Sequence, residues 1–491
     1  MSQRKAIFKD ALIFTGSSYG AQLFDVVNGV LMRNFLGPAN MGLWSLLQII
    51  QNYAKYAGLG AATSLARDVP YLLGKGNLPE VERIKDQIFT FTMTMTAVVA
   101  LGVLGFALFQ LRAYGPDITW GLLTVACLIL LQRVYNFHVV LLRAYKQFVF
   151  AGKLNIGSSM VTLALTVALV WPFKLYGLFA AVVLHYFVLI GLILYRTPYR
   201  FGFDFNWQGL RPVLNFGMAM VISGMLRTLM MSIDRIMIAK FLSFESLGLY
   251  SIALMATNYL YMLPNMVGIV FFPHLQEVFS RRDDKNDLEK FMREPALCLA
   301  FLFPFLIGFV AIFSAWLVPI LMPQYVSGLP SLQILVLGAF FLALTHPFSQ
   351  FMVTVRLHWQ LIPLQALIVA AGFLATWIAM RLHYGIEGVA WAMLILYLAY
   401  FMVLSLISLR EIRSLRFFLS FYAKILSAFL LSVAALKLSA FLFAGSGQGL
   451  VIYILHFLVY CLIVSPLLWW AEKEVRFLST LKSFFASKAG K

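Results

Sequence analysis

Charge is what this chain has least of. Only 12% of its 491 residues are Asp, Glu, Lys or Arg, against about 25% in a soluble domain, and 62% are apolar, giving a mean hydropathy of +0.86. No solvated surface can be assembled from so few charges, so a soluble globule is excluded. Acids are scarcer than bases, with 20 Asp and Glu against 38 Lys and Arg. In a soluble protein that excess would point to nucleic acid. In a chain this apolar it points to loops gathered on one face of a membrane, and nucleic acid is not an expected partner. Cysteine is also sparse: Cys127, Cys298 and Cys461 lie far apart, each inside an apolar run, which leaves neither a disulfide framework nor a metal spacing. There is no Gly-rich phosphate loop followed by Lys, no usable Ser-His-Asp set, and the seven histidines are scattered. ATP hydrolysis, a catalytic set and a bound cofactor are therefore not expected.

What is present is a long series of apolar runs. About 20 such residues cross a bilayer as a helix. On that measure spans fall near 11–35, 42–66, 87–111, 118–142, 153–172, 177–195, 212–240, 246–275, 292–321, 328–355, 360–381, 386–409, 417–438 and 449–470, fourteen in all. Arg4, Lys5 and Lys9 precede the first run as in a signal peptide. That run is too long, carries Gln22, Asp25 and Asn28, and lacks a convincing small-residue cleavage site, so it reads as a retained first helix. The longest connections, 67–86, 196–211 and 276–291, are too short for a separate enzyme domain.

Lys and Arg set the orientation. With the N-terminus cytoplasmic, the inner segments hold most of them, including Arg67, Lys75, Arg83 and Lys85, then Arg143, Lys146 and Lys153, and the run Arg281, Arg282, Lys285, Lys290 and Arg293. The outer segments hold only Arg33, Arg112, Lys174, Lys240, Arg381 and Lys437. A multi-pass place in the cell (inner) membrane with both termini cytoplasmic is thus expected. Trp44, Trp120, Trp171, Trp316, Trp377 and Trp391 fall near outer span ends, and Trp207, Trp359, Trp469 and Trp470 near inner ones, as an interfacial aromatic belt would.

The chain also repeats itself. Phe35-Leu36 and Gly42-Leu43-Trp44-Ser45-Leu46 return as Phe241-Leu242 and Gly248-Leu249-Tyr250-Ser251-Ile252. Tyr176-Gly177 returns at nearly the same offset as Tyr384-Gly385. Such duplication is how many secondary transporters are built. The second copy begins after an even number of crossings, so the repeats are parallel. The expected architecture is all-α: a lobe over 1–200, a second over 201–414, each of six helices, and an appended helix pair with a tail over 415–491.

Several charges sit where lipid should be. Lys55, Arg133, Arg227, Arg235 and Lys424 lie within spans, with Asp25 and Asp234 as the acids and His138, His185, His346 and His456 beside them. A charge at the bilayer centre costs at least about 2.5–3.5 kcal/mol, so such residues face a cavity or a partner. Span one carries Ser18, Gln22, Asp25 and Asn28 at helical spacing, span two Gln48, Gln51, Asn52 and Lys55, and span eight Asn258, Tyr259, Tyr261 and Asn265. These stripes suggest helices lining a wet, net-basic cavity suited to an anion. Each charge has a structural alternative. Asp25 could pair span one to span two, Lys55, Arg133 and Arg227 could form buried ion pairs or hydrogen-bonded packing, Asp234 and Arg235 could anchor a helix end, and Lys424 could snorkel inward.

Arg33-Asn-Phe-Leu-Gly37-Pro38-Ala-Asn-Met-Gly42-Leu-Trp44 resembles the signature that follows the first helix of polysaccharide flippases. Gly58-Leu59-Gly60-Ala61 before Arg67, Ile233-Asp234-Arg235 before Gly248-Leu249-Tyr250, and Phe272-Pro273 are similar to further motifs of that group. The resemblance covers roughly residues 1–410 and is to the multidrug/oligosaccharidyl-lipid/polysaccharide exporter superfamily, Wzx-type flippases in particular, with MurJ-type relatives further off. It implies a polyprenyl-diphosphate-linked oligosaccharide as substrate, carried by alternating access between two lobes in a V. On that basis Lys55, Arg133 and Arg227 would bind diphosphate or acidic sugars. Polar residues such as Asn52 and Gln22 would serve sugar hydroxyls, and Asp25, with Asp234, would couple to H+ or Na+ or hold an ion pair. Membrane lipids, a glycan polymerase and glycosyltransferases are the implied partners, with function as a monomer, and the appended helices would help form a groove for the lipid tail. The rival readings are a multidrug exporter of the same superfamily, for which acidic cavities are the norm, and a membrane glycan polymerase.

Overall fold

The computed structural model describes residues 3–109, 115–197, 199, 201–261, 264, 289–355, 357–410, 415–445, 447 and 449–475. Asn265, Phe272-Pro273, the basic run 281–288, Arg112, Arg356 and the tail beyond 475 lie outside them, as do the side chains of Arg4, Lys5, Lys9, Arg67 and Arg211. Among the described residues every regular element is a helix. They are α1 (Gln3–Ala54), α2 (Ala61–Gly74), α3 (Leu78–Phe109), α4 (Pro116–Ala144), α5 (Phe148–Leu165), α6 (Trp171–Arg196), α7 (Trp207–Met230), α8 (Ile233–Phe241) and α9 (244–261), then α10 (Glu289–Leu321), α11 (Leu329–Thr354), α12 (His358–Arg381), α13 (Gly385–Arg410), α14 (Leu415–Leu442), α15 (Leu450–Val464) and α16 (Pro466–Val475). Among the described residues eight helical stretches are long and apolar enough to cross a membrane, or nine with the α15–α16 pair, bent by 44°, taken as one. This is a multi-pass membrane protein.

The expected spans correspond to these helices in part: span seven is divided into α7 and α8, span eight lies largely outside the described residues beyond 261, and other breaks fall in informative places. Spans one and two run together as α1, interrupted only at Gly37, whose φ of 72° no helix accommodates and glycine adopts freely. Pro38 follows, removing an amide donor where the ladder is already broken. Spans five and six are likewise joined through a π-turn, Thr166–Val170, with the direction changing at Lys174 (φ 52°).

Contacts divide the chain into two compact units, one of residues 1–235 and 243–248, the other of 236–242 and 249–491. In the first, Trp44, Leu47, Leu122, Val125 and Phe179 form a buried core. Trp44 is only 4% exposed and packs 6.4 Å from the Phe179 ring, so it belongs to the interior and not to the interfacial belt. Trp120, Trp171, Trp359, Trp391 and Trp469 are exposed, as belt residues are. The link between α6 and α7 is packed down as well. Phe201 stacks on Phe89 at 4.2 Å, and Asp204 accepts a hydrogen bond from Gln87 Nε2 at 2.8 Å. Lys85, read from the sequence as a solvated loop charge, is 2% exposed and paired with Glu82 and Asp86. α3 begins at Leu78, earlier than its apolar run, and carries that lysine under the 201–204 segment.

In the second unit Phe340, Phe341, Phe348, Phe351 and Phe401 of α11 and α13 make an aromatic core with no exposed surface beyond 1%. The appended helices dock on it. Phe429 of α14 lies 4.6 Å from Phe341, and the fully buried Tyr460 of α15 donates to the Pro304 carbonyl of α10 at 2.8 Å. Gly308, one turn on from Pro304, lies under the Tyr460 ring with no room for a β-carbon. Lys424 does not snorkel freely: its Nζ lies 2.6 Å from Glu474, which Arg293 also reaches at 3.0 Å. One carboxylate thus joins α10, α14 and α16.

Candidate functional site: a basic cleft at a broken helix

The helix that should carry span two stops in the middle of it. α1 ends at Ala54, Lys55–Gly58 form a 3-10 turn, and Leu59 (φ 45°) and Gly60 (φ 78°) turn left-handed before α2 resumes. Gly60 takes that conformation at no steric cost, whereas Leu59 is held in it at some strain. Such a break leaves backbone carbonyls without intrahelical donors, which is costly away from water.

Arg133 of α4 answers that cost. Its Nη2 donates to the Lys55 carbonyl at 2.9 Å and the Ala54 carbonyl at 3.4 Å, and its Nε donates to Thr96 Oγ1 at 2.9 Å. The guanidinium therefore acts as a C-cap built from another helix, with a positive charge at a helix C-terminus where it is favoured. Nη1 makes no hydrogen bond among the described residues and lies close over Gly58, where an added β-carbon would come within 3.3 Å of it. Tyr56 fixes the turn from the other side, its hydroxyl donating to the Gly224 carbonyl of α7 at 2.7 Å and lying 2.8 Å from Thr228 Oγ1.

Lys55 is left exposed at this break, and its ammonium donates to Asn52 Oδ1 at 2.6 Å. Neither Lys55 nor Arg133 makes an ion pair with any described residue. Both line a small open cleft of about 280 Å3 with Gln51, Gln132 and Asn136. Two cationic heads and three side-chain amides, with no acid among the lining residues, form a donor-rich recess suited to phosphate or carboxylate oxygens. Gln132 and Asn136 share a face of α4 with Arg133 at helical spacing. Their signal in the sequence is the helical spacing of Gln132, Arg133 and Asn136 within an otherwise apolar run.

The other expected site residues lie elsewhere. Gln22 and Asp25 belong to a second polar seam, where α1 runs along α5. There Ser18 accepts from Asn155 at 3.2 Å, Asp25 faces Ser159, and the amide nitrogen of Gln22 is buried with no hydrogen-bond partner among the described residues. His185 of α6 completes the seam, 3.0 Å from Thr162 Oγ1. Arg227 lies in the last turn of α7, beside the Thr228 that meets Tyr56, and does not line the cleft. Asp234 is buried at the start of α8 and accepts the Arg235 amide at 2.7 Å, while Arg235 donates to the Met231 carbonyl and Ser232 hydroxyl, both at 3.1 Å.

A family model described as "Polysaccharide biosynthesis protein" matches residues 73–326, more than half of the chain. The chain belongs to this family. A relative, the teichuronic acid biosynthesis protein TuaB of Bacillus subtilis (strain 168), is 26% identical over 156 residues, which is 31% of this chain and 32% of that protein's own length. Among solved structures the fold is similar to a lipid II flippase MurJ in an inward closed conformation, with a TM-score of 0.71 and 14% identity over 94% of this chain and 99% of the other. It is also similar to an inward-facing multidrug resistance MATE family transporter of the MOP superfamily, at 0.64 and 14% identity, covering 82% and 98%. The family is thus one of polysaccharide biosynthesis, and the fold is one shared with solved flippase and multidrug transporter structures.

Proposed function

We propose that the protein carries a polyprenyl-diphosphate-linked oligosaccharide across the inner membrane by alternating access, both termini cytoplasmic, with the broken-helix cleft as a contact for the diphosphate or for acidic sugars. The observation that carries this reading is the proximity of Lys55 and Arg133, neither with an acidic partner among the described residues, at an interrupted membrane helix. Discontinuous helices are where secondary transporters place their binding sites, and an unpaired cation at that depth is costly unless a ligand or water meets it. The amides of Gln51, Asn52, Gln132 and Asn136 are suited to sugar hydroxyls, as is Gln22 in the neighbouring seam. Arg227 is assigned to the same anion on its position near the break. Asp25 is assigned to proton or sodium coupling, with Asp234 as a second candidate. A cationic drug would meet repulsion in this cleft, which argues against the multidrug alternative, and no group in it fits the work of a glycan polymerase.

The test is a strain lacking the native gene and complemented by variants. Lys55→Ala should lower surface glycan at least tenfold, as expected for loss of a charge-assisted hydrogen bond of about 1.5–3 kcal/mol, and the lipid-linked intermediate should accumulate on the inner leaflet. Lys55→Arg should retain most export. Full export by Lys55→Ala at normal membrane abundance would remove the cleft from the transport path.

A further inference from the structure

A second cleft, of about 1210 Å3, opens beside the turn that joins α4 to α5 and is bounded across from it by the end of α6. Three cations surround it: Lys146 in the turn, Lys153 in α5 and Arg196 closing α6. All three are exposed, none makes an ion pair among the described residues, and no acid lines the cleft. The rest of its wall is largely apolar, with Val149 and Leu192 facing outward at 40% and 43% exposure.

The turn presents Lys146 at a conformational cost. α4 ends in a Schellman motif, in which the Lys146 amide donates to the Arg143 carbonyl at 3.0 Å and the Gln147 amide to the Leu142 carbonyl at 2.8 Å. That motif needs a left-handed residue, which is usually glycine. At the end of α2 the same motif indeed uses Gly76, at φ 72°. Here the position holds a lysine at φ 60°, a conformation strained for any side chain with a β-carbon. Strain of this kind gathers where a side chain has a task.

Unpaired cations above an apolar wall, on the side to which the Lys and Arg bias assigns the cytoplasm, match the chemistry of a phosphate headgroup with acyl chains below it. We infer that this cleft holds an anionic phospholipid of the surrounding bilayer, with Lys146, Lys153 and Arg196 on its phosphate and the chains against Phe148, Val149 and Leu192. The diphosphate of a lipid carrier shares this chemistry, but the outward-facing wall favours a resident lipid. The site is separate from the broken-helix cleft and stands or falls independently of it.

Native mass spectrometry of the full chain, released from nanodiscs of equal parts phosphatidylglycerol and phosphatidylcholine, tests this. The wild type should retain phosphatidylglycerol selectively. Lys146→Gly, Lys153→Ser and Arg196→Gln should each reduce that retention about fivefold, while Lys75→Ser, a cation on the same side away from the cleft, should not. Lys146→Gly also relieves the strained turn, so its thermal midpoint should hold or rise, which separates loss of the ammonium from misfolding. Equal retention by the wild type and the triple variant overturns the inference. So does selective retention of added polyprenyl diphosphate without preference for phosphatidylglycerol, which would reassign the cleft to the carrier.

Discussion

Gly42 and Gly248 each press a bare α-carbon onto the segment that carries the other. A β-carbon on Gly42 would run into the Phe244 carbonyl, and one on Gly248 into the Pro38 carbonyl. These are equivalent positions of the sequence repeat, so the duplicated motif is also a self-complementary contact, as in an isologous interface. Replacing either glycine by Ala should destabilise the protein by about 1–3 kcal/mol, the usual cost of overpacking against groups that cannot yield. Thermal unfolding in detergent should show both midpoints lowered. A double variant no worse than either single would confirm one shared contact, and an unchanged midpoint for Gly42→Ala would refute the packing.

Arg133 should behave differently from Lys55. Because its guanidinium caps the broken helix, Arg133→Ala should cost about 2–3 kcal/mol of stability as buried carbonyls lose a charged donor, and export should fall with abundance. Lys55→Ala should leave the unfolding midpoint within about 0.5 kcal/mol equivalent, as at sites free of packing roles. If the two variants matched in stability, the capping role of Arg133 would be wrong.

Glu474→Gln should strand two cations at once, since Lys424 and Arg293 share that carboxylate. A loss of about 1–3 kcal/mol is expected, at the modest end because all three groups are partly solvated. Measured at high and low salt, the difference from wild type should shrink as salt rises. A salt-independent difference would point to packing in place of charge.

Tyr460→Phe removes one buried hydroxyl that meets both Ser432 at 2.8 Å and the Pro304 carbonyl. The ring still fills the space over Gly308, so the expected cost is about 1–2 kcal/mol. Limited proteolysis should then cut α15 and α16 sooner than the remaining helices. Unaltered cleavage would mean that those helices are held by their apolar faces alone.

Asp25→Asn should change how glycan transport in proteoliposomes responds to proton and sodium gradients, because a neutral amide cannot release a proton or balance a cation. The same response in both proteins would leave Asp25 as a structural member of the seam with Ser159.

Much of this was legible in the sequence, and the reasons differ by feature. The repeat, the apolar runs and the Gly37-Pro38 signature disclosed helices, fold and family because each is a local pattern. Lys55 and Arg133 announced themselves by the cost of a charge in lipid. The break between them did not. Gly58 and Gly60 were visible, but only the left-handed turn at Leu59 and a carbonyl-seeking arginine 78 residues away turn them into a helix end. Lys424 and Lys85 were misread because tertiary packing leaves no record in hydropathy: the carboxylate that meets Lys424 comes from another helix, and Lys85, whose acids Glu82 and Asp86 lie on its own helix, is covered by the 201–204 segment. Trp44 near a span end looked interfacial, and the packing of Phe179 from α6 with Leu122 and Val125 from α4 makes it core.

The strap from α6 to α7 is fastened at several points. Phe201 is stacked on Phe89, Asp204 is tied to Gln87, and Gly202 passes so close to Asp86 that a β-carbon there would sit 2.7 Å from its carboxylate. A spacer or epitope inserted at that point would therefore unseat the start of α3 and the end of α4. Here one of the longer links between two helices serves as a buckle, not as slack rope.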